Sequence, residues 1–420
     1  MRKSAIIIVK SLLMLFVFLT YSCDNIRDAS SLNIIPLAST VGKYKMLNLS
    51  DFATEVKYIP LETNDSALIS YIFQISYENE KIFIRNASSL FNTDCYLFDM
   101  NGKFCNKIGQ KGQGPDDYIN LTGAFIHERY IYLMADTKIL IYNVGGQLNK
   151  KYNLLSDDIP DDYMIGWRSM YPLDMDRFIM HPVSWKGSYP KAILLEKDQS
   201  NLKIIKEYPN YVVLDKGPGG VMTSEAGIMY YYKDDIRSFR ILNDTIFTIG
   251  KDTIMKDAFI FEFGKYKTPP SFVEGKYDQD YVNDAKKYIS PNAIYESSNH
   301  LFISFDFGNH APEPIELKNS QGGKYYDSRV CGVFDKLTGK LTLMKQPVRG
   351  RFGFKNDIDG GPVIWPHYIS SNNELVSYIS VEEFLYYFNK IDDPTPQMTE
   401  ISKKISSDDN QIVIIAKLKE

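Results

Sequence analysis

One pattern recurs six times along this chain: a polar turn followed by a short strand of apolar and aromatic residues. It reads Asn79-Glu80-Lys81-Ile82-Phe83-Ile84 in the first copy and Glu128-Arg129-Tyr130-Ile131-Tyr132-Leu133 in the second. With Ile82, Ile131, Phe178, Ile228, Leu301 and Leu375 as markers, the intervals are 49, 47, 50, 73 and 74 residues. A second turn follows most copies, as in Phe98-Asp99-Met100-Asn101-Gly102-Lys103-Phe104 and Tyr142-Asn143-Val144-Gly145-Gly146-Gln147-Leu148. Asn-Gly and Gly-Gly supply the positive φ that tight hairpins need. Each copy is therefore two hairpins, and four-stranded units repeating about every 50 residues read as blades of a propeller. The expected fold is all-β: a six-bladed β-propeller of four-stranded antiparallel blades. The sixth copy lacks an outer strand nearby, so Glu55-Val56-Lys57-Tyr58-Ile59-Pro60-Leu61 is expected to close the last blade and cover its edge. The longer intervals mark insertions, read as a short helix at 278–288 and a polar loop at 308–324.

The N-terminus carries an address. Arg2 and Lys3 precede an apolar stretch from Ala5 to Leu19, which ends in Leu19-Thr20-Tyr21-Ser22-Cys23. A membrane-spanning helix needs about 20 apolar residues, so this shorter run reads as a secretory signal. The small residue before Cys23 resembles the lipobox of bacterial lipoproteins, which implies cleavage after Ser22 and a lipid on Cys23. Residues 1–22 are then the signal, 23–50 a tether and leading segment, and 51–420 the propeller. The full chain carries 48 basic and 52 acidic side chains; loss of Arg2, Lys3 and Lys10 leaves a net charge of −7. That balance offers no basic surface and excludes nucleic acid as a partner. Cys95, Cys105 and Cys331 remain. The Asn101-Gly102 turn puts Cys95 and Cys105 on opposite faces of their hairpin, so all three are read as buried thiols.

Several segments carry a resemblance: Val56-Lys57-Tyr58-Ile59-Pro60-Leu61-Glu62, Ile108-Gly109-Gln110-Lys111-Gly112-Gln113-Gly114-Pro115, Leu242-Asn243-Asp244-Thr245-Ile246-Phe247 and the terminal Gln411-Ile412-Val413-Ile414-Ile415-Ala416. They resemble the six-bladed β-propeller lipoproteins of Bacteroidota, with NHL- and TolB-like character. The resemblance implies a propeller and a lipid-anchored place in the cell envelope, at the outer membrane. It brings no catalytic residues to carry over.

In an antiparallel blade the links between blades and the loops between second and third strands share one end. The long, unusual loops fall there, and function usually sits in such loops. Trp185, in a polar loop, could stack on a sugar ring or anchor a protein. Arg349 and Arg351 could recognise an anionic ligand. Lys111 lies in a glycine-rich loop that lacks the Gly-Lys-Ser/Thr ending of a phosphate loop and reads as a crossover. Asp357 and Asp359, ahead of Gly360-Gly361, are candidate calcium ligands, but the place of the closing Glu is taken by Tyr368. His310 and His367 map near the same face without the spacing of a metal motif. The expected function is binding of a ligand, protein or glycan by a membrane-tethered propeller, with no catalysis and no cofactor. The alternative is a metal-dependent or carbohydrate-active envelope enzyme, a lyase or hydrolase, with its site over the central channel.

Overall fold

The computed structural model describes residues 33–89, 92–135, 137–154, 170–182, 190–210, 227–240, 242–270, 283–318 and 322–419. The signal, Cys23 and Trp185 lie outside the described residues. Antiparallel sheets dominate, and no described helix is long and apolar enough to cross a membrane.

The first sheet pairs Ile72–Glu78, Lys81–Ser89, Asn92–Asp99 and Phe104–Lys107 in order. A second carries Ile228–Tyr232, Asp235–Phe239, Thr245–Ile249 and Met255–Phe261, with Ile34–Ile35 added in parallel as a fifth strand. A third carries Ser290–Glu296, His300–Asp306, Arg329–Asp335 and Lys340–Met344, with Tyr44–Lys45 added the same way. The last sheet runs Tyr368–Ile369, Glu374–Ile379, Ile412–Leu418 and Ala53–Pro60, so strands from both ends of the chain pair antiparallel.

The arrangement is propeller-like, but the expectation of six four-stranded blades is corrected. Four blade-like sheets accompany one continuous sheet of eight strands, spanning Leu121–His127 to Asn201–Tyr208. The join is the parallel pairing of Asn153 with Asn201. Asn153 donates its backbone N–H to Ser200 at 2.8 Å and its side-chain amide to Asn201 Oδ1 at 3.2 Å. Two of the other sheets have five strands, because the leading segment is not a free tether from residue 33 onward. It lies along two sheet edges and satisfies backbone groups that would otherwise face water. The supposed polar loop at 308–324 also holds structure: Ile315–Lys318 and Lys324–Asp327 form a separate hairpin.

Apolar clusters lie between successive sheets, and one of them joins the last sheet to the first through Ile59, Val376, Val413, Ile82 and Phe98. This explains why Ile412-Val413-Ile414-Ile415 is apolar without alternation. Ile412 and Ile414 pack toward Phe302 and Phe384, whereas Val413 and Ile415 pack toward Ile82 and Ile84. A strand covered on both faces needs apolar residues at every position. The Val381–Phe388 helix, capped by Ser380 accepting from the Glu383 N–H, presses Phe384 into that core. Cys95 and Cys331 are buried and Cys105 half-buried, all three as free thiols.

Candidate functional site

The first strand of each repeat faces the centre. Together these strands enclose a cavity of about 360 Å³ at the end where the inter-unit links enter. Three of them carry a β-bulge near their start, at Ile72/Gln74, Leu121/Gly123 and Pro291/Ala293. A bulge adds one residue and re-aims its side chain. The added residues, Phe73, Thr122 and Asn292, all line the cavity.

Eight rings and four thioethers line the wall: Phe73, Phe125, Tyr171, Tyr230, Tyr231, Tyr295, Tyr368 and Tyr378, with Met134, Met170, Met180 and Met229. Phe125 and Tyr171 stack at 4.9 Å and 17°, and Tyr231 stacks on His127 at 3.9 Å and 5°. Several phenols are fixed by their hydroxyls. Tyr231 donates to Pro172 O at 2.6 Å, Tyr378 to Ile72 O at 3.0 Å, and Tyr368 to Glu78 at 2.8 Å. The hydroxyls of Tyr171 and Tyr295 have no hydrogen-bond partner among the described residues.

Charge in the wall is sparse. The Arg85 guanidinium donates to the carbonyls of Thr122 at 3.3 Å and of Leu121, bracing the bulge of the neighbouring unit, and lies 4.6 Å from the Phe73 ring. Glu296 is wholly buried and receives Arg237 at 2.9 and 3.1 Å, Lys336 at 2.8 Å and the Tyr230 hydroxyl at 3.1 Å. Burial alone would lower the Arg237 pKa, but bonding to Glu296 holds it above its ordinary value. His367 completes the set. Its Nδ1 lies 3.2 Å from Ser377 Oγ, and its ring packs 4.5 Å from Tyr378. Its open edge meets the cavity while protein surrounds the rest, and that desolvation, with the Arg329 charge, pushes its pKa down to about 4. The imidazole is therefore neutral at pH 7.

A second cavity, about 240 Å³, lies at the hairpin-turn end and is lined by polar residues including Asn79, Glu128, Asp234, Ser298 and Ser371. Ile126, Tyr231, Glu296, Tyr368 and Ile369 border both cavities.

Of the described residues singled out from sequence, only His367 borders the channel. His310 sits elsewhere, with Nε2 3.1 Å from Lys287 O and its ring against Tyr266. The two histidines therefore do not form one centre. Arg351 pairs with Glu383 at 3.4 Å, and Arg349 is exposed on the surface. Lys111 is exposed in its loop, which closes through Gly112 N–H to Tyr118 O at 3.0 Å. That geometry suits a crossover. Asp357 accepts from Ser50 N–H at 2.9 Å and Ser50 Oγ at 2.6 Å, pinning the leading segment. Asp359 accepts from Tyr58, Asn356 and Gly361 N–H. Both carboxylates thus serve donors of the chain itself, and no group of three metal-ligating side chains occurs among the described residues.

The ring of aromatics belongs to no motif; its trace in the sequence is an aromatic in the first strand of each repeat, at Phe73, Phe125, Tyr171, Tyr230, Tyr295 and Tyr368.

Residues 32–417 match the profile of a family described as a domain of unknown function, DUF4934. No curated protein matches the chain. Among solved structures, a Bacteroides fragilis protein described as exported aligns with a TM-score of 0.65 at 19% identity, covering 92% of this chain and 100% of its own. A DUF4221 member from Bacteroides vulgatus aligns at 0.48 and 12%, covering 88% and 98%. Virginiamycin B lyase from Staphylococcus aureus aligns at 0.39 and 14%, covering 86% and 99%. The first likeness is one of fold alone, and the other two are too weak to carry an argument.

Proposed function

The chain belongs to the DUF4934 family, and we propose that this member is an exported, envelope-tethered binding protein that holds a small molecule in its central channel without chemical turnover. The observation that carries this reading is the 360 Å³ cavity, walled by rings and methionines with a few fixed polar groups. Ligand pockets run from about 300 to 1,000 Å³ and share that make-up. Methionine thioethers adapt to a guest's outline, and stacked rings offer it flat faces. The apolar stretch behind Arg2 and Lys3 and the lipobox-like residues before Cys23 support an envelope location for the channel. A cell-surface or periplasmic protein so placed meets small molecules before the cytoplasm does.

The test uses the neutral fluorescent aromatic N-phenyl-1-naphthylamine and a substitution that fills the cavity. A Cβ at Gly123 would meet nothing closer than Met134 Cγ at 3.6 Å, so Gly123→Leu intrudes on the space without straining the backbone. The probe is expected to bind the mature protein and to lose at least tenfold in affinity to the variant. Equal binding to a folded Gly123→Leu would refute the channel as the site. Retention of radiolabelled palmitate by the wild type, and its loss from Cys23→Ser, tests the tether separately.

A further inference from the structure

We infer that the channel selects an aromatic anion, a compact ring system bearing one carboxylate or a similar acidic group, held by the Tyr171 and Tyr295 hydroxyls in the field of Arg85. This deepens the binding reading above and rests on it.

The charges that border the cavity favour a negative guest. Apart from the phenols, its ionisable lining residues are Arg85, Glu296 and His367. Arg85 is a permanent cation, because a guanidinium does not lose its proton in a protein. The Glu296 carboxylate is matched by two cations, Arg237 and Lys336, so that cluster carries a net positive charge. His367 is neutral near pH 7 and adds nothing of either sign. A guest anion therefore meets the Arg85 cation, while the one carboxylate in the described wall, Glu296, is ion-paired to Arg237 and Lys336.

The donors are in place as well. Most phenols around the channel spend their hydroxyls on the protein, as Tyr230, Tyr231, Tyr368 and Tyr378 do. Tyr171 and Tyr295 do not, and both line the cavity. Burial keeps both protonated, Tyr295 with a pKa near 12, so each hydroxyl has a proton to donate. A phenol donating to a carboxylate makes a charge-assisted hydrogen bond, stronger than one to a neutral acceptor. The Tyr171 ring itself stacks on Phe125, so the hydroxyl is held at the tip of a rigid aromatic pair. The aromatic part of the guest follows from the remaining wall, since the other rings and the four methionine thioethers offer flat, polarisable faces on which a ring system packs.

The test compares 1-naphthoate with 1-naphthamide, which share a ring system and differ in charge, as competitors of bound N-phenyl-1-naphthylamine. The acid is expected to displace the probe at a concentration at least tenfold lower than the amide. Tyr171→Phe with Tyr295→Phe keeps both rings and removes both hydroxyls. It should cut the preference for the acid over the amide, both measured on the same variant, at least fivefold. An amide that competes as well as the acid overturns the inference, as does an acid preference untouched by the double variant. Failure of the neutral probe to bind the wild type would instead refute the channel as a binding site.

Discussion

Glu296 is a buried carboxylate held by two cations, and its removal gives a sharp test of how the centre is held. Its side chain has no exposure, and it joins two sheets: Arg237 comes from the 228–261 sheet, and Lys336 follows the third strand of the 290–344 sheet. Glu296→Gln keeps the shape and deletes the charge. Two cations then remain in a space that water barely reaches, with Arg237 and Lys336 at 11% and 14% side-chain exposure. Breaking a buried pair by removing one partner costs about 3–5 kcal/mol, because the other charge is left uncompensated. Lys336→Met should behave differently. It leaves Arg237 and Glu296 as a balanced bidentate pair and forfeits one ion pair, a bond to Ser297 O and the contact with the Tyr232 ring at 4.0 Å. That loss should be smaller than the cost of Glu296→Gln, since no charge is stranded and methionine recovers part of the packing. Urea unfolding followed by intrinsic fluorescence measures both. The reasoning fails if Glu296→Gln costs no more than Lys336→Met, since the asymmetry comes only from which charge is stranded.

Two further outcomes follow from local geometry. His127 is 8% exposed and stacked on Tyr231, and burial pushes its pKa down to about 4 from an ordinary 6.5. Between those values the unfolded chain binds a proton that the folded one refuses, so stability falls as pH drops from 6.5 to 4, by about 3 kcal/mol in full. His127→Phe retains a ring against Tyr231 and should remove that much of the acid sensitivity in urea midpoints taken at pH 7 and pH 4; parallel pH profiles for variant and wild type would count against it. Gly102 has φ +82°, and a Cβ there would come 2.1 Å from Pro60 O, where the first sheet meets the closing strand. Gly102→Ala should lower stability by about 2 kcal/mol or more, and a melting temperature unchanged within a degree would refute the close approach.

The local units were legible because their signals are local. Alternation within Tyr130-Ile131-Tyr132-Leu133 and turn chemistry at Asn101-Gly102 depend on neighbours a few residues away. The strand at 53–60 could be read as the missing partner of the last repeat because that repeat lacked one. Charge balance and the N-terminal signal likewise needed only composition and order.

Other features had no local signature. Ile34–Ile35 and Tyr44–Lys45 are two-residue strands, too short for any period to show, and they are strands only because a sheet edge lies beside them. The merging of two units into eight strands rests on one contact between Asn153 and Asn201, side chains that read equally well as turn residues. The partners of binding candidates chosen by composition had no local signature either: Arg351 pairs with Glu383, and Asp357 accepts from Ser50 in the leading segment. The sequence by itself determined that this chain is built from repeated antiparallel units, since periodicity and turns are written in consecutive residues. The tertiary structure decided how those units join and which side chains meet. Tyr171, Tyr295 and Arg85 become one site only when strands from three repeats converge on one channel and bulges turn their neighbours inward.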